Sequence, residues 1–149
     1  MRKSIIAGAV GAVALAGATF TVFAGPSRPE AVEVWKSPLC GCCGGWVEYM
    51  EQQGFKVTVH ETDDMDTVKN KLGVPEQAWS CHTAKVAGYV LEGHVPVQAL
   101  DKLLAEKPQG VTGIASPGMP QGSPGMTGAK EPNVVVTFGG GGVRPFGTY

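Results

Sequence analysis

Three of the four cysteines in this 149-residue chain lie in the run Cys40-Gly41-Cys42-Cys43, and the fourth is Cys81. Bridges among such close neighbours constrain little of the unfolded chain, so structural stapling explains the cluster poorly. A disulfide from Cys81 to one of the three would close a longer loop and still leave two thiols to explain. Cys40 and Cys43 alone form the C-x-x-C of a dithiol redox centre, with Cys40 as nucleophile and Cys43 as resolving thiol. Cys42 adds a third sulfur that a two-thiol cycle does not use. Thiolates select soft Cu(I) and bridge between ions, so the crowding points to copper held by several sulfurs. Structural zinc fits less well, because its C-x-x-C ligands come in two separated pairs and this chain has one.

The elements that must position these sulfurs follow from hydropathy period and punctuation. Ala31 to Ser37 alternates and is rich in strand formers, ending at Pro38. The stretch from Trp46 to Gly54 places Trp46, Val47 and Met50 on one helical face and stops at glycine. Phe55 to Glu61 alternates again, so the cysteines fall at the first strand-to-helix turn of a β-α-β unit. Thiols there lie beside unpaired backbone N–H groups and the positive end of a helix dipole, which favour thiolate. A short helix begins near Met65, with Asp63 or Asp64 as N-cap, and ends at Gly73. Thr83 to Gly93 reads as a hairpin turning at Ala87-Gly88. A third, amphipathic helix spans Pro96 to Pro108, with Val97, Leu100, Leu103 and Leu104 facing inward.

The two ends of the chain differ from this middle. Arg2 and Lys3 precede an apolar Ala/Gly-rich run ending at Ala24, the pattern of a signal peptide (residues 1–24) cleaved after Ala24, which predicts an exported, periplasmic protein touching the membrane only through that leader. Residues 109–149 hold 11 of the 22 glycines, 5 of the 11 prolines and three charged residues, and read as a Gly/Pro-rich tail that packs on the domain. Within it Ser-Pro-Gly-Met occurs twice, ending at Met119 and Met126, and Asn133 to Phe138 is its one credible strand. The formal charge of −1, from 12 basic and 13 acidic residues, becomes −3 when Arg2 and Lys3 leave with the signal, and carries no electrostatic footprint for nucleic acid.

The order β-α-β-α-β-β-α over residues 31–108 matches a thioredoxin-like α/β domain, followed by the tail. That fold implies that the segment before the third strand lies against the cysteine turn and usually presents a cis-proline there. Here it reads Trp79-Ser80-Cys81-His82, offering a sulfur and an imidazole instead. Met119 and Met126 are soft thioethers suited to a lid or outer ligands for Cu(I). His94 reads as a helix-start residue, His60 as solvated, and Met65 as packing. Asp63 and Asp64 belong to a turn and cap, and no acid–base catalytic pair is evident.

Taken together, the segments Trp35 to Phe55, Ser80 to Pro96 and Gly113 to Met126 resemble the bacterial periplasmic CopG-like copper-resistance proteins, a metal-binding family with a thioredoxin-like fold. The resemblance implies copper binding by Cys40, Cys42, Cys43 and Cys81, in contact with copper ions and other periplasmic copper-handling proteins, and a role in copper redox handling. The candidate ligand set is therefore Cys40, Cys42, Cys43, Cys81, His82, Met119 and Met126. The alternative is a periplasmic thiol-disulfide oxidoreductase using Cys40 and Cys43.

Overall fold

The computed structural model describes residues 28–149; the expected signal peptide lies outside them. The elements in chain order are β1 (Ala31–Lys36), α1 (Gly41–Gln52), β2 (Lys56–Glu61), α2 (Met65–Lys71), a 3-10 turn (Glu76–Ala78), β3 (Thr83–Val86), β4 (Tyr89–Glu92), α3 (Val97–Glu106), β5 (Val111–Ala115), β6 (Val134–Gly139) and β7 (Arg144–Thr148). The strands form a seven-stranded mixed sheet in the order β2-β1-β3-β4-β5-β6-β7. The chain is thus a mixed α/β protein.

Side-chain alternation sends successive strand residues to opposite faces. Val32 and Val34 of β1, Leu91 of β4, Ile114 of β5 and Val135 of β6 face one way and pack with Trp46 and Met50 of α1 and Val97, Leu100 and Leu103 of α3. Val90, Ala115 and Phe138 face the other way, against Val74 and Ala78 around the 3-10 turn. In α1 the buried residues are Cys43, Trp46 and Met50, one stripe at helical spacing. Asp64 caps α2 by accepting from Thr67 N at 3.1 Å, and Ala87 and Gly88 both take positive φ in the β3–β4 turn, the type I′ geometry that matches strand twist.

Residues 109–149 contribute more to the sheet than the single strand expected of them. They supply β5, β6 and β7, with β5 parallel to β4 and the others antiparallel. Some of their glycines serve close packing: a Cβ on Gly113 would collide with the Val90 carbonyl and the Phe138 ring.

The pairing also sets which loops meet. Trp35 lies opposite Thr83, Thr83 opposite Glu92, and Glu92 beside Ala115. So the end of β1, the start of β3, the end of β4 and the end of β5 lie together at one end of the strands. The second Ser-Pro-Gly-Met turn folds back there onto α1. Gly125 (φ +79°) sits against the Trp46 backbone, and a Cβ on Gly45 would lie 2.5 Å from the Gly125 carbonyl oxygen. Gly45 therefore admits the backbone of the tail. Because the obstacle is main chain, Gly45→Ala is expected to lower stability by about 1–3 kcal/mol. A Cβ on Gly44 meets nothing within 4 Å, so Gly44→Ala should be neutral or stabilise by up to about 1 kcal/mol through helix propensity. Urea unfolding of the two variants measures the contrast.

Candidate metal centre

β1 ends at Lys36 and the chain turns through Ser37–Leu39, with Cys40 N donating to the Ser37 carbonyl at 3.1 Å. Cys40 is the N-cap of α1, and Cys42 and Cys43 follow in its first turn. Cys40 and Cys43 are joined as a disulfide, while Cys42 and Cys81 are free thiols. Cys40 and Cys42 sulfurs lie 3.6 Å apart. Cys81 arrives from across the β1–β3 pairing, and the ligating atoms of Cys40, Cys42, Cys43 and Cys81 all fall within 4.8 Å of one another. The two bridged sulfurs become ligands only on reduction, which takes two electrons and two protons.

Two histidines complete the pocket. His82 and His94 are both fully buried. Cys81 Sγ is 3.4 Å from His82 Nδ1 and 3.1 Å from His94 Nε2. The ligating atoms of Cys81, His82 and His94 form a second group within 4.8 Å. His94 Nδ1 lies 2.7 Å from the Pro124 carbonyl oxygen, which accepts only, so Nδ1 carries the proton and the Nε2 lone pair faces the sulfur. The Trp46 ring covers His82, with centroids 4.6 Å apart, and its Nε1 donates to the Val95 carbonyl at 3.0 Å.

Burial, followed by the neighbouring Cys42, pushes the Cys81 thiol up to about 11. Burial also drives His82 well below the ordinary imidazole range, helped by His94 and Lys69, and lowers His94. At neutral pH without metal the pocket thus holds a protonated Cys81 thiol and two neutral imidazoles. A cation that binds Cys81 must displace its proton.

The Cys81 segment is held from behind by a buried ion pair. Glu92 Oε1 accepts from Lys69 Nζ at 2.5 Å and from Ser80 N at 2.6 Å, and Glu92 Oε2 accepts from Thr83 Oγ1 at 2.7 Å. Burial raises the Glu92 carboxyl, and Lys69, Thr83 and Ser80 oppose that shift. The tail braces the same region: Ser80 Oγ donates to the Gly118 carbonyl at 2.8 Å, and Asn133 Nδ2 donates to the His94 carbonyl at 3.0 Å. Each Ser-Pro-Gly-Met repeat thus contributes one carbonyl, Gly118 and Pro124, to the edge of the pocket.

Of the residues expected at the site, the four cysteines and His82 come together. Met119 is 57% exposed, and Met126 is half-buried on the turn that carries Gly125. His94, expected as a helix-start residue, instead faces Cys81. The hairpin contained the signal for this: extending the Thr83–Glu92 register by two residues sets Cys81 opposite His94, and the Gly93 N–H to His82 carbonyl bond of 2.8 Å continues that ladder.

The fold and site define a mixed α/β protein with a soft-donor pocket at one end of its central strands. Residues 78–126 match a family described as a protein of unknown function, DUF411. Two solved structures, both described as copper resistance protein CopG, match at 40% identity. Form 2 has a TM-score of 0.75, with 82% of this chain and 99% of that one covered; form 1 has a TM-score of 0.74, with 82% and 98% covered. Among curated proteins, none gives a significant match. The chain belongs to the CopG copper-resistance family.

Lys69→Met would leave the Glu92 carboxylate buried without its counter-charge. It is expected to destabilise by about 3–5 kcal/mol, with Lys69→Met/Glu92→Leu recovering much of the loss. Denaturant unfolding of the single and double variants checks this.

Proposed function

We propose that this chain is an exported copper-binding protein of the periplasm that takes up Cu(I) through Cys40, Cys42, Cys43 and Cys81, as a cysteine-bridged multinuclear site, for sequestration and redox handling in copper resistance. The observation that carries the reading is the convergence of four sulfurs within 4.8 Å. Thiolates in such numbers suit soft Cu(I), and adjacent cysteines suit ions that share sulfurs. Relatives described as copper resistance proteins support copper as the cargo. His82 adds an imidazole, and Met119 and Met126 serve as outer thioether ligands carried on the repeated turns. The β-α-β-α-β-β-α order of residues 31–108 supports a thioredoxin-like lineage, with residues 109–149 as an extension packed on it.

A second reading rests on a specific observation, the Cys40–Cys43 disulfide. A C-x-x-C bridge at a helix N-terminus is what a thiol-disulfide oxidoreductase presents to its substrate. The two readings separate on Cys42 and Cys81, which exchange chemistry does not require.

Anaerobic titration of the reduced protein with Cu(I) against a chromophoric chelator tests the proposal. The expected result is tight binding, with copper per chain reduced in both Cys42→Ser and Cys81→Ser. Unchanged copper binding in both variants, with disulfide exchange on insulin lost only in Cys40→Ser and Cys43→Ser, would establish the oxidoreductase reading instead.

A further inference from the structure

Lined by none of the cysteines or histidines, a cavity of about 450 Å³ opens between α1, the start of α3 and the tail. That volume lies in the range small organic ligands occupy. We propose that it binds a small organic monocarboxylate with an apolar body, the carboxylate at the start of α3 and the body between the side chains of Tyr49 and Tyr149. The inference is independent of the copper reading.

The start of α3 supplies donors. Pro96 is its N-cap and offers no side-chain cap, and the first turn holds no acidic residue, so no side chain on α3 offsets the positive end of the helix. Val97 N donates to Tyr49 Oη at 2.9 Å, whereas the Gln98 N–H has no acceptor among the described residues. Tyr49 Oη is an acceptor in that bond, so its own proton remains to be donated. Burial pushes the Tyr49 phenol up, which keeps that proton in place at neutral pH.

The tail forms the opposite wall. Ser123 borders the cavity at 3% exposure, and its buried Oγ has no hydrogen-bond partner among the described residues. A buried hydroxyl left unpaired is uncommon in a folded chain and calls for a partner. The polar groups of Asn133 are already spent: its side chain accepts from Ser116 Oγ at 2.6 Å and donates to the His94 carbonyl at 3.0 Å, and its N–H donates to the Tyr149 main-chain oxygen at 3.1 Å. Lys130 adds a cation with no ion pair among the described residues. Glu131 is the one acidic side chain of the lining; its Oε2 accepts from Gln121 N at 2.9 Å, and the adjacent Lys130 offsets its charge. Unspent donors therefore outnumber unspent acceptors, the balance that an ionised carboxylate, an acceptor only, satisfies. Tyr49, Tyr149, Pro96 and Pro124 give the cavity apolar walls for the rest of the molecule.

Isothermal titration calorimetry of the purified chain with 3-phenylpropionate, its neutral amide and the cation 2-phenylethylamine tests the inference. The acid is expected to bind roughly tenfold tighter, or more, than either analogue, the margin that hydrogen bonds to an ionised acceptor give. Ser123→Ala is expected to weaken the acid by about tenfold while leaving the chain as stable or more stable in urea, because it deletes a hydroxyl that has no partner in the free protein. Lys130→Gln, at an exposed position, is expected to weaken the acid and leave the amide unchanged. Equal affinity for acid and amide, tighter binding of the cation, no binding of the acid at millimolar concentration, or acid binding indifferent to both variants would overturn the inference.

Discussion

Everything at this site depends on one constraint, the strand register that puts Trp35, Thr83 and Glu92 side by side across three neighbouring strands. Hydrogen-bonded pairing has a side-chain period of two, so a slip of one residue would invert the side to which each of Cys81 and His82 points and dismantle the pocket. The buried Glu92 reinforces the register by binding Lys69 from α2, Thr83 from β3 and the Ser80 backbone at once. A charged pair in that position adds little net stability, since desolvation offsets much of the attraction. Its effect is to fix the approach of the Cys81 segment to the cysteine turn.

From this placement the electrostatics follow. Burial keeps Cys81 protonated and both histidines neutral. A pocket of neutral soft donors, beside the sulfurs of the cysteine turn, suits a cation that brings its own charge. The tail closes the arrangement. Its two turns contribute carbonyls to Ser80 and His94, and Gly45 and Gly125 let the second turn lie directly on α1.

Much of this was legible in the residues themselves. The cysteine cluster announced ligand or redox chemistry through type and spacing, and hydropathy period gave β1, the three helices and the β3–β4 hairpin. Two of the three strands of residues 109–149 are obscured because a Gly/Pro-rich composition carries little strand signal of its own. At Gly113 glycine marks close packing against Val90 and Phe138, a property of neighbours that are distant in sequence. His94 was obscured by a local signal, its place before the Pro96 helix start, which outweighed its register opposite Cys81. Lys69 and Glu92 carried no sequence signal, since a charge on a short helix and one at a strand end ordinarily read as solvated until tertiary packing joins them.

The claim that most needs direct measurement is that Cys81 and the Cys40–Cys43 turn hold copper together. Copper K-edge X-ray absorption of the reduced, Cu(I)-loaded chain, compared with its Cys81→Ser variant, reads the atoms bound to the metal. The account expects a sulfur-dominated first shell that loses sulfur when Cys81 is replaced. An identical shell in the two proteins, or one made of nitrogen and oxygen, would contradict it.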